Sequence, residues 1–122
     1  MLLDSFFKIL SLEIDGNKAK AKIELNPMHK IYDGHFPGMP VVPGVCMMQM
    51  LKETTEKIVV RKIEFLKGDQ IKFIAVIEPL KIKEFELEIN YSINENGQLN
   101  VSADLFNGAI KYFKFRGVFT LL

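Results

Sequence analysis

From His35 to Val45 the chain reads HFPGMPVVPGV, with three prolines and two glycines in eleven residues, and an almost uncharged run, CMMQML, follows at once. Proline fixes φ, removes a backbone donor and is excluded from a helix interior, so residues 26–44, punctuated by Pro27, Gly34, Pro37, Gly38, Pro40, Pro43 and Gly44, form an ordered loop. A helix starts directly behind it, since proline and glycine at its entry suit a first turn whose N–H groups have no partners anyway. Val45, Met48 and Leu51, with Met47 beside them, recur at helical spacing up to about Lys57. The first half of this helix carries almost no charge and the second half is charged, which predicts a buried amino-terminal half and a carboxy-terminal end emerging into water.

The rest of the chain reads as strand. Residues 5 to 14 and KAKAKIEL, 18 to 25, flank the turn Asp15-Gly16-Asn17 and form a hairpin. EFELEINYSI, 84 to 93, alternates strictly, with Phe85, Leu87, Ile89, Tyr91 and Ile93 on one face. QLNVSADLF, 98 to 106, does the same with Leu99, Val101, Ala103 and Leu105, and Asn107-Gly108 turns it into IKYFKFRGVFTLL, 110 to 122. RKIEFL, 61 to 66, is a further strand, and KFIAVIEP, 72 to 79, is apolar continuously enough to be a central one. One helix and several antiparallel strands with a single apolar face give an α+β domain in which the sheet wraps the helix. The 122 residues make one domain, 1–122.

Composition removes several function classes. Sixteen basic residues against fifteen acidic ones leave a net charge of +1, without the basic stripe that nucleic acid requires. There is no apolar run of membrane-spanning length, and the apolar start lacks a basic n-region and carries Asp4, which argues against a signal peptide. The single cysteine excludes an internal disulfide and a multi-cysteine zinc site, so a cytoplasmic protein without a metal is expected. No P-loop, dinucleotide glycine pattern or Gly-x-Ser-x-Gly elbow is present.

HFPGMPVVPGV resembles the active-site signature of the 3-hydroxyacyl-acyl-carrier-protein dehydratases of the hotdog fold, His-Phe-Pro-Gly-x-Pro-(Val/Ile)-x-Pro-Gly-Val, at every specified position. The order hairpin, loop, helix, antiparallel strands agrees with that family along the whole chain. The resemblance implies that His35 is the base that removes a proton from C2 of a 3-hydroxyacyl thioester. It implies that the N–H groups of Gly44 and Val45, at the helix amino end, hold the thioester carbonyl, and that Phe36, Gly38 and Pro43 line the substrate. It implies no cofactor beyond the phosphopantetheine that carries the substrate on acyl carrier protein or coenzyme A. It also implies pairing of two domains edge to edge, as a homodimer, as a trimer of dimers or with a second hotdog chain, with sites at the interface.

One position departs from the family. Its helix carboxylate, fourteen residues after the histidine, is here Gln49, and Glu53 stands four residues on, where glutamine is usual. An amide is no ordinary general acid. Residues i and i+4 share a helix face at roughly 5–6 Å between Cβ atoms, so either Glu53 reaches the site and assists, or it only hydrogen-bonds Gln49 or sits among Lys52, Glu56 and Lys57 in water. Three readings follow: a dehydratase; a non-catalytic acyl-thioester-binding subunit of a hetero-oligomer; and, least favoured by the signature, a hotdog thioesterase.

The remaining candidates have ordinary readings. His29 belongs to a surface or strand end, and Asp33 either orients His35 or caps a turn. Cys46 is a small buried hydrophobe unless its seat near the helix start lowers its pKa, and Met47, Met48 and Met50 fill core or acyl tunnel. Lys72, Lys111, Lys114 and Arg116 are surface cations that would suit an acidic carrier protein.

Overall fold

The computed structural model describes residues 1–34 and 38–122. The first hairpin joins β1 (Phe7–Asp15) to β2 (Lys18–Leu25). A 3-10 turn, Lys30–Gly34, leads into the loop, and α1 runs Gly44–Val59. Then come β3 (Ile63–Phe73), β4 (Glu84–Ile93), β5 (Leu99–Asn107) and β6 (Ile110–Leu121). The strands form one six-stranded sheet in the order β1-β2-β4-β5-β6-β3, antiparallel throughout. This is the sheet-wrapped helix expected from the alternation.

Period-two patterning sets the register. Ala19, Ala21 and Ile23 of β2 lie opposite Ile89, Leu87 and Phe85 of β4, and Leu105, Ala103 and Leu99 of β5 lie opposite Phe113, Phe115 and Phe119 of β6. All of these side chains are buried, as are Met47, Met50, Leu51 and Ile58 of α1, so one apolar sheet face and one helix stripe build a continuous core. The opposite sheet face is charged, with Lys18, Lys20 and Lys22 beside Glu84, Glu86 and Glu88. Among the described residues no helix is long and apolar enough to cross a membrane.

Two expectations are corrected. KFIAVIEP is not a central strand: β3 stands at a free sheet edge and ends at Phe73, after which Ile74 donates to the Tyr112 carbonyl (2.9 Å) and Ile77 accepts from the Val42 N–H (3.0 Å). A run that is apolar on both faces reads as central. Here Phe65, Leu66, Ile71, Phe73, Ile74 and Val76 are exposed instead, because β3 has a neighbouring strand on one side only.

The helix also departs from its charge pattern: its second half is buried as deeply as its first. Cys46, Met47, Met50 and Leu51 are buried as expected, with Val45 exposed at 74% beside them, but Glu53, Thr54, Thr55 and Ile58 farther on are buried too. Residues 1–7 cause this. They fold back in a turn in which Leu2 O accepts from Ser5 and Phe6, bury Phe6 and Phe7, and lie over the second half of α1.

Candidate active site

Pro43 is the N-cap of α1, with φ −64° and ψ 146°. Its carbonyl accepts from Cys46 (3.0 Å) and Met47 (3.3 Å), which closes the first turn without any side-chain cap. Among the described residues no acceptor engages the N–H groups of Gly44 and Val45, as first-turn geometry dictates. These two donors therefore point outward at the positive end of a sixteen-residue helix.

Gly44 has a steric reason to be glycine. A Cβ there would come within 2.9 Å of the Phe73 ring, so Phe73 of β3 lies directly against the helix start. Gly38, at φ +87°, occupies a backbone region that other residues rarely adopt. His35, Phe36 and Pro37 lie outside the described residues.

The flanking loop is well tied. His29 Nδ1 accepts from the Ile31 N–H at 3.1 Å, and its ring stands edge-on to Phe6 at 5.4 Å. With Tyr32, Asp33, Gly38 and Pro40 it lines a cleft of about 380 Å³ behind the loop. Asp33 is exposed. Tyr32 is buried against Phe6 (5.6 Å between rings), and among the described residues its hydroxyl has no partner. Burial pushes the pKa of both the Tyr32 phenol and the Cys46 thiol upward, so Cys46 is a packed hydrophobe and not an activated thiol. Met47 and Met50 are core and Met48 is half-buried.

Gln49 lies one turn beyond Val45 on the same helix face, half-buried, and Glu53 lies a turn beyond that at 2% exposure. The Glu53 carboxylate accepts from the Leu2 N–H through both oxygens (3.0 and 2.8 Å), from the Leu3 N–H at Oε1 (2.8 Å) and from Gln49 Nε2 at Oε2 (2.7 Å). Burial alone would raise its pKa, but the donors of Leu2, Gln49 and Leu3 outweigh it and hold the group below the usual glutamate value. Glu53 is therefore an anion tied to the amino-terminal segment and to Gln49, and Lys52, Glu56 and Lys57 take no part in those bonds. Sequence reasoning missed Leu2 and Leu3 because they act through backbone N–H groups, which every residue but proline possesses.

The six-stranded antiparallel order and the one α-helix among the described residues define a hotdog-fold protein. This chain belongs to the ApeI-like dehydratase family, whose model matches residues 11–114. Its relatives include the 3-hydroxyacyl-[acyl-carrier-protein] dehydratases FabZ of Lactococcus lactis subsp. lactis and Caldicellulosiruptor saccharolyticus. The first is 29% identical over 98 residues, covering 75% of this chain and 65% of the relative. The second is 30% identical over 90 residues, covering 67% and 63%. The matches thus span slightly less than two thirds of those relatives' length. In three dimensions the chain resembles a subunit of the dehydratase heterocomplex ApeI:P from Xenorhabdus doucetiae, with TM-score 0.72, 19% identity and coverage of 92% of this chain and 96% of the other. An uncharacterized protein from Erwinia carotovora subsp. atroseptica aligns at TM-score 0.60 and 21% identity, with coverage of 92% and 90%.

Proposed function

We propose that this chain dehydrates 3-hydroxyacyl thioesters carried on acyl carrier protein or coenzyme A, in fatty-acid or related lipid or polyene synthesis. The observation that carries the reading is the signature sequence leading into a helix whose first two N–H donors, Gly44 and Val45, have no acceptor among the described residues. His35 takes a proton from C2, and the two donors hold the thioester oxygen as negative charge grows there. The C2–C3 double bond forms as the C3–O bond breaks, and the departing hydroxyl collects a proton to leave as water. Phe36, Gly38 and Pro43 border the acyl thioester, and Gln49, backed by Glu53, assists. The phosphopantetheine arm comes with the substrate. Lys72 on β3 and Lys111, Lys114 and Arg116 on its neighbour β6 suit an acidic carrier.

The exposed apolar edge of β3, together with bare Val45, supports a two-domain assembly in which β3 pairs with a neighbour's β3 and the site is completed between them. A homodimer is the simplest form, and trimers of such dimers are compatible with it. A second reading is favoured by one observation: the helix carboxylate is replaced by Gln49, and Glu53 is engaged elsewhere. In that reading the chain is an acyl-thioester-binding subunit whose hotdog partner supplies the missing acid.

Purified protein with a 3-hydroxyacyl thioester is expected to generate enoyl-thioester absorbance, and His35→Ala to lower the rate at least ~100-fold. Activity that appears only when a second hotdog chain is added selects the subunit reading. Free thiol without enoyl product selects hydrolysis and rejects both.

A further inference from the structure

The pair Gln49 and Glu53 departs from the family pattern at both positions, and its hydrogen bonding has a chemical consequence. A carboxylate that already receives backbone N–H groups from Leu2 and Leu3 can only accept. The amide of Gln49 must then turn its NH₂ toward Glu53, at 2.7 Å. Oxygen and nitrogen sit on the same planar carbon, so fixing the nitrogen fixes the oxygen on the other side. Among the described residues the one hydrogen bond of the Gln49 side chain is this donation, and its oxygen receives none. The helix face it lies on is sealed at Glu53 and open at Val45, one turn either side. Its free lone pairs therefore belong to the half of the helix where Gly44 and Val45 present their N–H donors.

We infer that Glu53 is a positioning residue: its carboxylate locks the Gln49 amide so that the site receives a carbonyl oxygen, an acceptor for the 3-hydroxyl of a 3-hydroxyacyl thioester, and no side-chain general acid from this helix. The inference rests on the dehydratase reading for its substrate and on the geometry of residues 2, 3, 49 and 53 for the lock. Gln49 orients the hydroxyl by accepting its O–H. The proton that leaves with that hydroxyl then comes from the imidazolium formed when C2 was deprotonated. One proton leaves C2, the same proton joins the departing hydroxyl, water is released and the imidazole is regenerated, so no further reactant is needed.

Two measurements test this. The first is independent of activity. In ¹⁵N-labelled protein the Gln49 side-chain amide, assigned by its loss in Gln49→Leu, is expected to exchange slowly with water and to become fast-exchanging and shifted in Glu53→Gln. An amide that already exchanges at the free side-chain rate in the parent, or that ignores Glu53→Gln, overturns the lock. The second is a kinetic cycle. Gln49→Leu and Glu53→Gln are each expected to lower kcat/KM about tenfold, the worth of one hydrogen bond in the transition state, and the double variant no further. Losses that multiply to about a hundredfold mean independent roles and overturn the positioning assignment. Gln49→Glu in the Glu53→Gln background is expected to add a second ionisation to the pH–rate profile, and an unchanged profile counts against Gln49 facing the substrate. If the parent forms no enoyl product, alone or with a hotdog partner, the dehydratase reading and the hydroxyl assignment both fail, while the amide exchange still decides whether Glu53 holds Gln49.

Discussion

At its amino end α1 is capped by a proline, rests against the tip of the Phe73 ring and leaves Val45 bare. Two turns on, the same face disappears beneath residues 2 and 3, whose N–H groups converge on a buried anion. The open end is built from backbone: rigid φ angles, a glycine for close approach and unused donors. The closed end is built from side-chain charge satisfied by distant backbone. Gln49 stands between them and belongs to both. The difference teaches that charged residues in a helix segment do not by themselves keep that segment in water. Thr54 and Thr55 are buried as completely as Leu51, and Thr55 keeps its hydroxyl satisfied by bonding the Leu51 carbonyl at 2.7 Å.

Breaking the closed end is expected to have the largest effect on stability. Glu53→Ala removes the acceptor from the Leu2, Leu3 and Gln49 donors and is expected to cost about 2–4 kcal/mol, read from urea unfolding. A loss no larger than that of an exposed-site variant would mean that the amino-terminal segment contributes little.

The same group gives a pH signature. Because the folded carboxyl titrates below its unfolded value, near ~4.3, its contribution is complete above that value and is lost as pH falls through the lower folded pKa. Acid unfolding should be shallower in Glu53→Gln when followed by circular dichroism.

At the open end, Gly44→Ala pushes a methyl group against Phe73 and is expected to cost about 1–2 kcal/mol, with Phe73→Leu restoring most of it. Thermal melts of the single and double variants would show whether that contact is rigid. The smallest effect is expected at Val45. Val45→Thr should change chain stability by less than about 0.5 kcal/mol, since the side chain touches little, yet weaken self-association in sedimentation if that face is covered in the assembly.

Much of this was legible from residues alone. Alternation in 84–93 and 98–106, and the Asn107-Gly108 turn, place β4, β5 and β6 within a residue or two, and helical spacing after Pro43 places α1. The motif was visible as well, and so was the i, i+4 spacing that lets Gln49 and Glu53 bond each other. What was not legible depends on tertiary neighbours. β3 is a single eleven-residue strand with bulges between Phe65 and Lys67 and between Gly68 and Gln70, and such irregularities blur its period into two shorter runs. Its edge position is invisible because a strand awaiting a partner and a strand between two layers look equally apolar. The fate of Glu53 is invisible because its partners lie some fifty residues away and are main-chain atoms.

Cys46 is the chain's sole thiol, and it sits in the first turn of α1, between the open face and the core. A sulfhydryl that is shielded from water and reluctant to ionise reacts with a maleimide only during the moments when that turn lifts away from the sheet. The molecule thus carries a chemical clock for its own breathing at one address, and the alkylation half-time can be timed with and without an acyl thioester to learn whether occupancy quiets it.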